Sequence, residues 1–122
     1  LLAFVDEARF ERLGVFEYSP EEGTAAETLP DQVPARTKKR RYHALMKAQA
    51  RVSAELNAAL VGSLQEVLVC GEAERGDLVG RLASQAPDID GLVHLEGDAR
   101  PGELVQARIE SADVYDLRAR VE

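Results

Sequence analysis

The chain has 122 residues, of which 45% are hydrophobic and 30% charged, and its formal net charge is −7. This composition is that of a soluble globular protein, and no stretch approaches the roughly 20 consecutive apolar residues that a membrane-spanning helix needs. The single cysteine, Cys70, excludes an intramolecular disulfide framework and favours a reducing cytoplasm. Residues 1–7 resemble neither a signal peptide nor a translation start, so we expect a mid-chain segment of a cytoplasmic protein.

The first third of the chain predicts one helix and one strand. Residues 1–10 mix apolar and charged residues as helix ends do, and residues 12–19 are rich enough in apolar and aromatic side chains for a buried strand. A helix followed by a strand is the repeating unit of a parallel α/β sheet or barrel, but the chain offers this strand no neighbour. We therefore interpret residues 1–33 as the end of a larger α/β domain, with a proline-rich loop over residues 20–34.

A long connecting helix is predicted over residues 34–61. Apolar residues recur there every three or four positions, Pro34 suits the first turn, and Gly62 suits the C-terminal end. Its first turns carry the basic run at residues 38–41, which is a candidate for nucleic-acid binding. We favour the simpler interpretation, a solvated helix face with ion pairs to nearby acids.

After Gly62 the apolar pattern has period two. The predicted strands cover residues 63–70, 76–83, 91–95, 103–111 and 114–121, with turn signals at 71–76, 86–88, 97–98 and 101–102. Five short strands predict a closed, OB-like antiparallel β-barrel over residues 62–122, because closure removes the exposed strand edges. The fold class is therefore α+β. Cys70 is expected to be a buried packing residue, while His43 and His94 lack the spacing of metal ligands.

The charges divide unevenly between the two parts of the chain. Of the 22 acidic residues, 9 precede Gly62 and 13 follow it, whereas the 15 basic residues divide into 9 and 6. The predicted barrel therefore has all of the excess negative charge, and this must affect its choice of partner.

Several short motifs extend across nearly the whole chain. They are Tyr18-Ser19-Pro20-Glu21-Glu22-Gly23-Thr24, Leu29-Pro30-Asp31-Gln32-Val33-Pro34, Arg41-Tyr42, Leu45-Met46, Gly80-Arg81, Ala86-Pro87-Asp88-Ile89-Asp90-Gly91, Pro101-Gly102 and Ala112-Asp113-Val114-Tyr115-Asp116-Leu117. Read together, they resemble the C-terminal third of the RimO-type ribosomal protein aspartate methylthiotransferases, a radical S-adenosylmethionine family. Residues 83–85 and Arg118-Ala119 depart from the family pattern, and these departures affect details of the barrel surface.

The resemblance implies an enzyme that adds a methylthio group to an aspartate of a small-subunit ribosomal protein. Residues 1–33 would end its radical S-adenosylmethionine α/β barrel, and residues 62–122 would form a TRAM domain. Family members use S-adenosylmethionine and 4Fe-4S clusters, each held by three or four cysteine thiolates. Because this chain has only Cys70, we expect it to hold no metal, cofactor or catalytic residue and to be inactive alone. The loop at residues 18–24 follows the predicted barrel strand; either Tyr18, Ser19 or Glu21 lies at the rim of the cofactor and substrate cavity, or the loop is a structural turn.

The charge of the predicted barrel favours a protein partner over RNA. Affinity for nucleic acid comes largely from lysine and arginine, and single strands are also held by stacking on aromatic side chains, of which the barrel segment has only Tyr115. An acidic surface suits a strongly basic polypeptide such as a ribosomal protein. We expect a monomer without a membrane partner, and the candidate partner-binding residues are Asp88, Asp90, Glu96, Asp113 and Asp116.

Two alternatives remain open. The first is the C-terminal part of a tRNA methylthiotransferase with an RNA-binding TRAM domain. The second is a stand-alone OB-type binding module with a helical arm, which would not need the unpaired strand near Phe16.

Overall fold

The computed structural model describes residues 1–73 and 76–122. It confirms an α+β fold with the long helix and the five barrel strands, and each of their ends lies within three residues of its predicted position. The elements are helices α1 (Leu2–Ala8) and α2 (Ala35–Ala59) and strands β1 (Leu64–Glu72), β2 (Leu78–Arg81), β3 (Val93–Glu96), β4 (Leu104–Ala112) and β5 (Leu117–Val121). The turn predicted between Gly71 and Gly76 includes Glu74 and Arg75, which lie outside the described residues.

The chain divides into two compact units, Leu1–Gln49 and Ala50–Glu122. In the first unit, α1 buries Val5 and ends at Arg9, whose backbone has the left-handed conformation common after a helix. The rings of Phe4 and Phe10 meet edge to face, with their centroids 5.7 Å apart. The helix predicted within residues 1–10 is therefore confirmed.

The strand predicted over residues 12–19 is not formed, and the prediction that it is buried is wrong. The segment has no strand assignment, and the side chain of Phe16 is 93% exposed. A strand requires a hydrogen-bonded neighbour, and none of the described residues supplies one to this segment. The loop predicted for residues 20–34 is confirmed, and the side chain of Gln32 stabilises it by donating to the carbonyls of Ala26 and Leu29.

The second unit contains a closed barrel with the strand order β1-β2-β3-β5-β4. Four of the neighbouring pairs are antiparallel, whereas β3 and β5 run parallel. This corrects the purely antiparallel barrel of the prediction. The reason is topological: strand directions cannot alternate around a closed ring with an odd number of members, so five strands require at least one parallel pair.

The barrel core follows the predicted alternation. Its buried side chains come from β1, β3, β4 and β5 and from the residue after β2, and they are Val67, Val69, Leu82, Val93, Leu95, Ala107, Ile109, Leu117 and Ala119. Outward positions on β4 and β5 carry the predicted charged residues, two of which form ion pairs with carboxylates. Glu110, which accepts a hydrogen bond from Arg120, together with Glu96 raises the pKa of the Arg120 guanidinium above its ordinary value.

The expectation that Cys70 is buried is wrong. Val67 and Val69 point into the core, so the period of two places Cys70 on the outer surface of β1, where it is exposed. The apolar residues near Cys70 in the sequence belong to the opposite face of the strand, so they do not shield its side chain from solvent.

Candidate partner-binding surface of the barrel

Two loops meet at one end of the barrel. The first, residues 82–92, connects β2 to β3, and the second, residues 113–116, connects β4 to β5. Val93, at the start of β3, pairs with Gly80 of β2 on one side and with Leu117 of β5 on the other. The strand register therefore brings the two loops together, and we call residues 86–92 and 113–116 the loop end of the barrel.

The two loops contact each other through their backbones. A Cβ atom at Gly91 would overlap the carbonyl oxygen of Tyr115 and would lie 2.9 Å from Oδ1 of Asp116. Oδ1 of Asp116 accepts a hydrogen bond of 2.9 Å from the amide of Leu92, and the amide of Leu117 donates over the same distance to the carbonyl of Leu92. Only glycine permits this approach, so position 91 fixes the geometry of the loop end.

Helix α2 provides two buried polar side chains that hold the second loop. Ser53 is 1% exposed and Asn57 is 3% exposed. Oγ of Ser53 donates to the carbonyl of Val114 over 2.6 Å, and Nδ2 of Asn57 donates to the carbonyls of Val114 and Asp113 over 3.0 and 3.2 Å. Buried carbonyl groups need such partners. This role of Ser53 and Asn57 was not predicted. The only signal for it in the sequence is that two polar residues lie four positions apart on one face of the helix.

A buried glutamine organises the start of the first loop. Gln85 is 1% exposed, and its Oε1 accepts a hydrogen bond of 2.8 Å from the amide of Leu82. Arg81 donates from Nη1 to the carbonyl of Gln85 over 3.3 Å. The loop is therefore fixed to the barrel at its N-terminal side as well as at Gly91.

Four of the five candidate carboxylates lie at the loop end. Asp88 and Asp90 belong to the first loop, and Asp113 and Asp116 belong to the second. Glu96 does not join them, because it is the last residue of β3 and forms an ion pair of 2.9 Å with Arg120. The structure thus brings together four of the predicted residues and separates the fifth.

The four carboxylates have different local roles. Oδ2 of Asp90 accepts a 2.7 Å hydrogen bond from the amide of Ala86, which closes a turn that includes the turn signal predicted at residues 86–88. Oδ2 of Asp116 lies 3.7 Å from Nε2 of His94, while its other oxygen caps Leu92. Asp88 has a positive φ of 60°, which aspartate tolerates better than most residues. Within residues 1–73 and 76–122, no group of three or more histidine, cysteine and acidic side chains could hold a metal ion.

Exposed apolar side chains lie beside these carboxylates. Ile89 is 84% exposed, Tyr115 is 47% exposed and Val114 is 39% exposed. They were not predicted from the sequence, because only carboxylates were considered for binding in the segment that follows the turn signal at residues 86–88. An isoleucine between two aspartates of a turn was the available signal, since it cannot belong to the alternating face of a strand.

Apart from His94, the remaining candidates lie in the first unit. Lys38 donates to the carbonyl of Tyr18 over 2.8 Å and lies 5.3 Å from the centre of its ring, while Lys39, Arg40 and Arg41 are exposed. A groove of about 450 Å³ is lined mostly by apolar side chains, including those of Phe16, Tyr18, Leu29 and Tyr42. His43 is exposed beside Tyr42, and His94 is half-buried on β3 of the second unit, as expected for ordinary residues.

Comparison with known protein families identifies the barrel. The model of the TRAM domain matches residues 61–121, which include all five strands. The chain belongs to the TRAM-domain family. The loop end described above is therefore the β2–β3 and β4–β5 end of the TRAM barrel.

Three relatives that match both the TRAM barrel and the helices before it share one name. The chain is 56% identical to the ribosomal protein uS12 methylthiotransferase RimO of Syntrophus aciditrophicus over 99% of its length. It is 52% identical to the protein of that name from Syntrophotalea carbinolica over 96% of its length, and 52% identical to that from Myxococcus xanthus over 99%. These matches confirm the predicted resemblance to RimO-type proteins. The chain covers 28%, 26% and 26% of the three relatives.

No helix among the described residues is both long and apolar enough to span a membrane.

Proposed function

We propose that this chain is the C-terminal part of a methylthiotransferase that adds a methylthio group to an aspartate of ribosomal protein uS12 in the cytoplasm. The observation that carries this proposal is the identity of 56% to a RimO protein, extending over 99% of the chain rather than over the barrel alone. Residues 1–33 would end the catalytic domain, residues 34–61 would connect it to the barrel, and residues 62–122 would recognise the protein substrate.

The cofactors of such an enzyme do not fit this chain. An iron–sulfur cluster needs three or four cysteine thiolates, and the only cysteine here is Cys70, on the outer surface of a barrel strand. The S-adenosylmethionine and 4Fe-4S clusters of the full-length protein would therefore be bound by residues outside this chain. The part played by the chain is to recognise and position the substrate, and we expect it to be inactive by itself.

The charge of the barrel supports a cationic polypeptide as the partner. Residues 62–122 contain 13 acidic and 6 basic residues. Two of the six, Arg108 and Arg120, form ion pairs with carboxylates of the barrel itself, and Arg81 donates to a backbone carbonyl. Ribosomal proteins are strongly basic because they bind RNA, so their charge is complementary to this surface.

The same charges oppose the RNA-binding alternative. Binding to phosphate requires lysine and arginine side chains that can displace counterions, and single-stranded RNA also needs aromatic surfaces for stacking. In the barrel, Tyr115 is the single aromatic residue, and it lies in a loop with two aspartates and no basic residue. A stand-alone binding module is opposed by the extent of the match, which includes α1 and the segment before α2.

The catalytic part of the proposal is tested in the full-length protein. When this protein is produced in a bacterial host that lacks its own uS12-modifying enzyme, mass spectrometry should find a methylthio group on one aspartate of uS12. An inactive variant without the cluster-binding cysteines serves as the control. A methylthio group on tRNA, with uS12 unmodified, would support the tRNA-modifying alternative instead.

Substrate recognition is tested by titrating the chain with purified uS12 and with tRNA at low and moderate salt. We expect binding to uS12 to be at least about tenfold tighter, a difference of about 1.4 kcal/mol. Asp88→Asn combined with Asp113→Asn should weaken this binding, whereas Glu96→Gln, at the other end of the barrel, should leave it within about twofold of the original value. Tighter binding to tRNA would reject the protein-recognition role.

A further inference from the structure

We infer that the loop end of the barrel is a docking site for a polypeptide segment in which an apolar side chain lies beside lysine or arginine residues. This inference rests on the proposed function and deepens it, because it assigns recognition to one end of the barrel rather than to its overall charge. It also predicts that the partner is held by an apolar contact.

The first observation is a group of exposed apolar side chains on the two loops, which we call the apolar patch. Ile89, Val114 and Tyr115 belong to two loops whose backbones touch at Gly91, and all three side chains are exposed. A single exposed apolar residue requires no explanation, but apolar residues grouped on adjacent loops are typical of interaction sites. None of the three belongs to the buried core, which is filled by strand residues and Leu82.

The second observation is that the patch is rigid at the backbone. The buried side chains of Ser53 and Asn57 hold the carbonyls of residues 113 and 114, and the carboxylates of Asp90 and Asp116 hold the amides of residues 86 and 92. These hydrogen bonds order the loops before any partner arrives. A preformed surface avoids the entropic cost of ordering loops on binding, as recognition sites commonly do.

Charge identifies the occupant. Residues 86–92 and 113–116 contain four aspartates and no lysine or arginine. These four carboxylates attract cationic side chains and repel the phosphates of RNA. Charge also disfavours a second copy of this chain, because two chains with a net charge of −7 repel each other. A basic polypeptide can place one apolar side chain against Ile89 and its lysine or arginine side chains beside the four aspartates.

The test compares two exposed apolar residues at opposite ends of the barrel. In the full chain, Ile89→Ser should weaken binding to the basic ribosomal protein substrate about tenfold, as expected for an anchor residue. Leu104 is 64% exposed at the start of β4, away from the loop end, so Leu104→Ser should change the affinity by less than about twofold. Thermal unfolding of both variants should match that of the unsubstituted chain, and Tyr115→Ser provides a second test of the same patch.

The outcomes distinguish this inference from the function on which it rests. If the unsubstituted chain binds the ribosomal protein but Ile89→Ser and Tyr115→Ser bind it equally well, the docking site is rejected while recognition by the barrel stands. If Leu104→Ser weakens binding as much as Ile89→Ser, the loop end has no special role and the inference fails. Absence of any binding by the unsubstituted chain rejects both. A larger effect of Ile89→Ser on tRNA binding, or on self-association measured by sedimentation, would assign the surface to those partners instead.

Discussion

Replacing Gly91 with alanine is expected to lower the free energy of unfolding of the chain by about 3 kcal/mol, near the upper end of the cost of overpacking. The added Cβ would overlap the carbonyl oxygen of Tyr115, and this atom cannot move away as a flexible side-chain end could. The two loops would have to separate, and the hydrogen bonds between Leu92, Asp116 and Leu117 would be strained. Chemical denaturation followed by circular dichroism measures the loss.

The matched control is Gly71→Ala on β1. A Cβ at Gly71 meets no atom within 4 Å, and its backbone does not require glycine, so this variant should remain within about 0.5 kcal/mol of the original stability. Equal stability of the two variants would mean that the loops do not approach each other as described. Gly91→Ala should also weaken substrate binding beyond any effect of Gly71→Ala, because it displaces the loop end.

Replacing Asn57 with leucine is expected to lower the free energy of unfolding by about 2 kcal/mol, the cost of leaving buried polar groups without their hydrogen bonds. Leucine has the same branching and the same number of side-chain heavy atoms as asparagine, and its methyl groups are bulkier, so the change removes the donor without creating a cavity. Nδ2 of Asn57 donates to the carbonyls of both Asp113 and Val114, and only the latter also receives the hydroxyl of Ser53. The loss is measured by denaturant titration.

Ala58→Leu is the control for this substitution. Ala58 is the next residue of the same helix and is exposed, so leucine there should change stability by less than about 0.5 kcal/mol. If Asn57→Leu is as stable as Ala58→Leu, the hydrogen bonds from α2 to the loop contribute no net stability. Amide hydrogen exchange in residues 113–116 should increase only in the Asn57 variant, since these hydrogen bonds are what hold the loop.

The barrel was predictable because alternation is a local signal. Ala107 and Ile109 are separated by the charged Arg108, which must face outward, and the structure buries both apolar residues. The same reasoning applied to Cys70 would have placed it outside, because it has the opposite parity to Val67 and Val69. The presence of a parallel pair also follows from five strands and closure, although which pair it is, here β3 and β5, depends on the strand order.

Other features depend on contacts that no local pattern encodes. The segment around Phe16 has the composition of a strand, but composition does not supply the neighbouring strand that pairing requires. Ser53 and Asn57 look like ordinary surface residues of a helix until the loop that they bind is known. The candidate site was partly predictable: the four aspartates meet because their loops lead into the adjacent strands β3 and β5, whereas Glu96 was included on charge alone. The exposure of Ile89 could not be inferred from its type.

The anchoring of residues 113 and 114 by helix α2 has a consequence for protein engineering. The TRAM family match begins at residue 61, but the side chains that hold the second loop lie earlier, at Ser53 and Asn57. A barrel transplanted into another protein from residue 62 onward would lose these donors, and water would have to replace them at the loop carbonyls. The smallest transferable unit that keeps these donors therefore starts before Ser53, and the second compact unit, which begins at Ala50, includes both of them.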